Sequence, residues 1–439
     1  MKSQIITKNF IFKSWDYTLY RLSVICVLLI FQMVFIAPLS SYTYRGAFDQ
    51  FGDNIVGLDA GSAAKGGTSV AITNNPLSVF GNPAGVFADR GMFLFTSGIV
   101  STFERRVHYD NDSTTALNDN MFFDFSGIGI IYPVKRDKLT VAFAESAAGD
   151  YNYTYEEELR SPAALLTNLN TVDSEGGLRR AGFSVAYNPL KSLLTGISIY
   201  NLYGSPENTV SSTTYSTAVA DRGAVVSQEK DILKHEFSGT ALSIGALYHI
   251  SGRTRMGLSY KPGFEMTDKT KLTEHTLTTV TKTGTKYKFK YPESLSLGLS
   301  FRFPGPSEPT LFLDVVHTNW SEAKAKTGSG KWINCGYVDT MEWHIGAEHT
   351  AKSKKFRYGL AFLPDYSRKG SQKAVVSCGL GFKIWVIDFD VSGQYFMRRN
   401  TLEDRLFHVP EDDPDFERIN FEITDEYTKR FLFTGKIKL

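Results

Sequence analysis

Along most of this chain apolar side chains fall on every second residue. Leu295, Leu297, Leu299 and Phe301 alternate with Ser294, Ser296, Gly298 and Ser300; Phe356, Tyr358, Leu360 and Phe362 alternate with Arg357, Gly359 and Ala361. A repeat of two is the period of a β-strand, whose successive side chains point to opposite faces. A third run sets Ile387, Phe389, Val391, Tyr395 and Met397 against Asp388, Asp390, Ser392 and Gln394. Two aspartates on one face are costly in a dry sandwich core without partners, but they suit a wet lumen.

From residue 91 onward, segments of about ten residues with this pattern are joined by two kinds of connection in alternation. The short kind falls at 133–136, 188–192, 251–254, 304–309, 351–355 and near Trp385. The long, polar kind falls at 104–120, 151–177, 205–233, 267–285, 321–338, 365–373 and 399–425. Short turns at one end and long loops at the other are the arrangement of a transmembrane β-barrel. The pattern predicts an all-β chain with fourteen antiparallel strands over 91–439. An even number lets one chain close on itself and leaves no sheet edge. A propeller would instead need a blade-length repeat, and none is visible.

The residues ahead of the barrel divide in two. In 1–41, Lys2, Lys8, Lys13 and Arg21 precede an apolar run over 22–36 and then Ala37, Pro38, Leu39, Ser40 and Ser41. That is the charged, apolar, small-residue order of a secretory signal. The apolar run is shorter than the roughly 20 residues a membrane helix needs. Residues 42–90 show little alternation and are rich in small residues and turn formers, among them Gly66, Gly67, Asn75, Pro76, Asn82, Pro83, Ala84 and Gly85. Such a chain folds compactly in a confined space, which predicts a plug, or hatch, inside the lumen.

Composition narrows the chemistry. Aromatic residues make up 13%, with 32 Phe and 22 Tyr, and there are 37 Gly, a mixture of strand and turn formers. The 48 basic and 46 acidic residues nearly cancel, so no bulk field points to nucleic acid. Beyond the signal segment only Cys335 and Cys378 remain, too few for a disulfide scaffold or a zinc site. Lys65 lies between Ala64 and Gly66, which breaks the phosphate-loop order of Gly before Lys and Ser or Thr after it. Neither a Gly-x-Ser-x-Gly elbow nor His-Glu-x-x-His is present, and Glu342, His344 and Glu348 are spaced as a lumen lining. The reading is therefore a non-enzymatic chain without metal or cofactor.

The chain resembles the FadL/TodX family of outer-membrane transporters for long-chain fatty acids and hydrocarbons, with its nearest likeness among spirochaetal members. The resemblance rests on the hatch motifs Gly66-Gly67, Asn75-Pro76 and Asn82-Pro83-Ala84-Gly85, and on 255–262 after Tyr248. It rests also on Pro292-Glu293-Ser294 before Leu297-Gly298, and on Asp314 before Asn319-Trp320-Ser321. It implies a hatch that gates the barrel, ligand capture among the long loops and a lateral exit beside a kinked third strand.

The residues give their own hint of that exit. Leu139, Val141 and Phe143 set the lipid face of the third strand, and unbroken alternation puts Glu145 on it too. An inward kink after Phe143, eased by Ala147, Ala148 and Gly149, would take the carboxylate off that face. In 151–177, Ser161-Pro162 reads as the start of a short helical lid. The expected function is uptake of a fatty-acid-like hydrophobic ligand by a monomer in contact with outer-membrane lipid. The alternative is a secretion-associated or adhesive barrel whose loops bind a partner.

Overall fold

The computed structural model describes residues 53–108, 115–161, 165–305, 308–367, 372–403 and 421–439. The expected signal segment 1–41, hatch residues 42–52, and the lid residues Pro162, Ala163 and Ala164 lie outside the described residues.

Fourteen of the described strands close a barrel. In chain order they are β1 (Met92–His108), β2 (Thr115–Lys135), β3 (Leu139–Asp150), β4 (Gly177–Leu190), β5 (Leu193–Gly204), β6 (Phe237–His249) and β7 (Thr254–Lys261). There follow β8 (Ser294–Arg302), β9 (Thr310–Thr318), β10 (Thr340–Ala351), β11 (Lys354–Pro364), β12 (Gln372–Ile384), β13 (Ile387–Glu403) and β14 (Phe421–Lys438). Each pairs antiparallel with its chain neighbours, and β14 returns to β1 from Met92↔Lys438 to His108↔Glu422. The all-β, fourteen-strand expectation holds.

The two faces of the wall are inverted relative to a water-soluble protein. Leu297 on β8, Ile199 on β5, Phe183 on β4 and Leu360 on β11 are exposed outward. Ser243, Ser377, Gln394, Arg357 and Asp390 are buried inside. An apolar exterior around a polar, hydrogen-bonded interior has its low-energy environment in hydrocarbon.

At the end opposite the short turns the long connections are themselves sheet. The stretches expected as loops at 151–177, 205–233 and 267–285 hold the hairpins Tyr153–Ser161 with Leu166–Glu175, Glu207–Ser216 with Val225–Lys234, and Phe264–Thr276 with Val280–Tyr291. These pair side by side, and Lys324–Thr327 extends the tier. Their Thr, Ser, Val and Tyr content favours strands. Away from lipid no face need be apolar, so the sequence lacks the alternation that betrays a strand. Of the stretch expected as a helical lid, the described residues Ser161 and Leu166 are paired strand.

Because Leu297 faces hydrocarbon in this arrangement, Leu297→Arg should destabilise the barrel by about 2–4 kcal/mol, whereas Leu297→Phe should leave it unchanged. Reversible denaturant unfolding in lipid vesicles measures both.

Candidate functional site

The hatch is assembled from three caps. Asp59 starts the one-turn helix Ala60–Ala63: its carboxylate accepts from the Ser62 N–H, and the Ser62 hydroxyl accepts from the Asp59 N–H. Asn75 and Asn82 each precede a 3₁₀ turn, Pro76–Phe80 and Pro83–Val86, and accept from the N–H groups of Leu77 and Ala84. Proline at the first position loses nothing, because its missing N–H would have had no partner there. Both asparagine amides also tie the hatch together: Asn75 Nδ2 donates to Asp59 (3.0 Å), and Asn82 Nδ2 donates to the Val70 and Ala246 carbonyls (2.8 and 3.0 Å).

The wall meets this hatch with glycine. A Cβ at Gly129 would stand 2.6 Å from Pro76, one at Gly346 2.6 Å from the Lys65 carbonyl and one at Gly379 2.6 Å from Ala64. Added carbons at Gly196, Gly245, Gly257 and Gly359 would run into Pro83, Asn82, Val70 and Gly66. Eight wall strands are involved once Gly298, against Val70, is included. On the hatch side Gly66 and Gly67 have φ of 67° and 89°, a left-handed turn that a side chain would strain.

Polar groups complete the seal. The Ser377 hydroxyl accepts from Gly66 N–H (2.9 Å), Thr434 accepts from Ala60 N–H (2.9 Å), and Asp314 accepts from the Ser69 and Val70 N–H groups (2.6 and 2.9 Å). His344 Nδ1 donates to the Gly66 carbonyl at 2.7 Å, so the imidazole expected as lumen lining is a hatch anchor. Beneath the hatch runs a buried chain of charges. Lys436 bridges Asp59 (3.2 Å) and Asp390 (2.8 Å), and Arg357 bridges Asp390 (2.6 Å) and Glu348 (2.6 Å). Burial works against the Asp59 carboxyl, but Lys436 holds it below its ordinary range. Burial pushes the Lys65 ammonium, which sits over the Phe312 ring at 4.1 Å, down to about 8.

The wall is interrupted beside β3. The β2–β3 ladder stops at Gly127↔Ser146, and above it the free edge of β3 is taken by hatch residues Asp53 and Asn54, paired with Asp150 and Gly149. The β3–β4 register slips between Ala147 and Gly149. The irregularity thus lies at Ala148, not directly after Phe143. Alternation continues through Glu145, which stays on the outer face. Its carboxylate is neutralised there by Arg179 on β4 (2.7 Å) and accepts from the Tyr203 hydroxyl (2.8 Å). A diagonal cross-strand ion pair removes the need for the kink expected after Phe143.

A cavity of about 280 Å³ lies between hatch and hairpin tier, reaching Ile55 beside the hatch strand and Ala148 at the register slip. Phe80, Leu178, Tyr200, Leu202, Phe264, Tyr291 and Trp320 supply its apolar wall. Arg180 and Lys261 also line it. Arg180 donates to Ser146 (2.9 Å) and lies 4.6 Å from the Phe80 ring centre; among the described residues neither cation has a carboxylate partner. The cavity's acids are otherwise engaged, Asp314 by the hatch N–H groups and Glu342 by His344 (3.3 Å). A cavity with an aromatic wall and two convergent cations can hold a hydrophobic molecule and one acidic group. A second, strongly charged cavity of about 520 Å³ opens on the short-turn side of the hatch, around Asp59, Lys65, Glu348 and Arg357.

Of the residues singled out in the sequence, Gly66, Gly67, Asn75, Pro76, Asn82, Pro83, Ala84 and Gly85 gather at the hatch and its seat, and Ala147, Ala148 and Gly149 gather at the gap. Phe143 packs outward on Phe183 (4.9 Å), away from the cavity. Arg180 went unmarked, and Lys261 entered only as part of the 255–262 motif. Strand parity carries the signal for Arg180, since Phe183 and Val185 facing lipid place Gly182 and Arg180 inside.

Two substitutions test the seat. Gly359→Val should unseat the hatch and raise the swelling of vesicles in small sugars several-fold, with the barrel's heat-shifted gel mobility intact. Asp390→Ala leaves Arg357 and Lys436 buried without their shared carboxylate and should cost about 3–5 kcal/mol in denaturant unfolding.

Comparison with known proteins adds the following. The chain is similar in structure to the toluene transporter TodX of P. putida, with a TM-score of 0.60 at 14% identity, covering 87% of this chain and 98% of that one. It is similar to a FadL homologue of Pseudomonas aeruginosa, with a TM-score of 0.59 at 12% identity over 91% and 99%. It is also similar to the toluene transporter TbuX of Ralstonia pickettii, with a TM-score of 0.57 at 14% identity over 88% and 99%. At such identities the likeness is one of fold, and the expected FadL/TodX resemblance holds at that level. No curated protein matches the sequence. One family model does, over residues 21–361, well over half the chain, and on that match the chain belongs to the BamG family.

Proposed function

We propose that this barrel sits in the bacterial outer membrane with its short turns toward the periplasm and takes up hydrophobic small molecules that carry an acidic group, fatty acids in the first instance. The observation that carries the reading is the cavity above the hatch, whose aromatic wall is met by Arg180 and Lys261 while its acids, Asp314 and Glu342, are engaged by hatch N–H groups and by His344. The solved transporters of similar fold, described as carrying toluene, support a hydrophobic cargo.

Three features of the structure support a route. A molecule entering between the hairpins reaches the cavity, where its tail displaces water from Leu178, Tyr200 and Trp320 and its anion meets the two cations. The charged vestibule beneath the hatch is a poor path for such a tail. The exit is lateral, through the wall where β2 leaves β3, and it opens when the Asp53–Asn54 strand detaches. An exposed strand edge is costly in hydrocarbon, so the hatch strand re-pairs once cargo has left.

Mass spectrometry of the full chain purified in mild detergent should find bound fatty acids. In Arg180→Ala and Lys261→Ala their retention should fall about tenfold for each charge-assisted hydrogen bond lost. Equal retention in both variants and wild type contradicts the assignment. With Cys335 and Cys378 replaced, a disulfide between Asn54→Cys and Gly149→Cys should stop uptake into cells without reducing retention; undiminished uptake argues against lateral exit.

A further inference from the structure

The outward face of the hairpin tier carries lysines in direct cross-strand register. Lys288 faces Lys326, Lys290 faces Lys324, Lys269 faces Lys286, and Lys234 faces Lys271. Like charges directly opposite one another on adjacent strands destabilise a sheet, and here the arrangement recurs across four strands. Three members are relieved within the chain: Lys234 by Glu207, Lys269 by Glu236 and Lys288 by Glu265 at 3.6 Å. Lys271, Lys282, Lys286, Lys324 and Lys326 have no carboxylate partner among the described residues, and Lys290 has Glu265 opposite it, which pairs instead with Lys288. Lys290 and Lys326 instead lie 4.8 and 4.6 Å from the ring centre of Trp332.

The place of this array points to its ligand. The inner face of the same strands is buried, with Met266, Asp268, Thr270 and Phe289, so the lysines are on the side that continues the lipid-facing wall. Directly below, that wall presents Tyr260, Leu295, Leu297 and Leu299 outward. Lys290 stands five residues beyond Leu295 along the chain, a rise of roughly 16 Å along the strand and less in height after tilt. The lower lysines, with Glu265 and Glu293 beside them, thus belong to the charged rows just above the apolar band, at the depth of lipid headgroups and confined to one sector of the barrel.

We propose that this face binds the phosphate groups of anionic outer-leaflet lipids, which bridge the paired lysines and fix the hairpin tier against the membrane. A phosphate oxygen between two ammonium groups turns each cross-strand repulsion into two attractions, and the Trp332 ring holds two of the stems in place. This site is independent of the cargo cavity and would stand if the cargo were something else.

The test is to reconstitute the full chain in nanodiscs of mixed phosphatidylcholine and phosphatidylglycerol, release it gently and count retained lipids by native mass spectrometry. The wild type should retain phosphatidylglycerol in preference to phosphatidylcholine, and high salt should abolish the preference. A variant combining Lys286→Gln, Lys290→Gln, Lys324→Gln and Lys326→Gln should lose it by about tenfold or more, and the corresponding Lys→Arg variant should keep it. Equal preference in wild type and glutamine variant overturns the proposal. So does a wild type with no preference, including one that captures a soluble sulphated glycan instead. If the glutamine variant does not fold, the salt response of the wild type decides.

Discussion

The closest constraint in this molecule is the approach of the hatch main chain to the inner wall. Carbonyls and amides of 64–83 come within contact of wall positions that carry only hydrogen, so the seat exists because Gly129, Gly196, Gly245, Gly257, Gly298, Gly346, Gly359 and Gly379 lack a Cβ. Once the backbones are that close, each polar hatch group needs a partner on the wall, since water has no room to serve. Ser377, Thr434, Asp314 and His344 are those partners. The Lys436, Asp390, Arg357 and Glu348 chain then lets buried charges sit beneath the hatch without an unpaired member.

The same close seat divides the lumen into two unlike spaces. Toward the short turns it is charged; toward the hairpins it has an aromatic wall and two cations, its acids Asp314 and Glu342 being held by hatch N–H groups and by His344. Such a division gives direction to an amphipathic molecule. The gap between β2 and β3 lies beside the cavity above the hatch, and there the hatch itself supplies the missing strand. Seal, cavity and gap are thus consequences of one segment packed into one barrel.

How much of this was legible in the sequence depends on the solvent each segment meets. Where a strand faces lipid on one side and lumen on the other, as at 294–301, the alternation is strong and fixes both strand and orientation. In the hairpin tier both environments are polar or mixed, and strands such as Glu207–Ser216 read as loop. Glu145 shows a different limit. A carboxylate on a lipid face predicts a kink only if nothing on the neighbouring strands neutralises it, and Arg179 and Tyr203 are brought alongside by pairings the sequence does not display. Arg180 and Lys261 lie 81 positions apart in the chain, and only closure of the barrel puts them on one cavity.

The central claim is that the space above the hatch holds an acidic hydrophobe between Arg180 and Lys261. A crystal structure of the full chain with a fatty acid brominated at its tail locates both ends of the ligand by anomalous scattering and density. The account requires the bromine among the aromatic side chains of this cavity and the carboxylate on Arg180 and Lys261. Bromine found only on the outer, lipid-facing wall, with water filling the cavity, would contradict it.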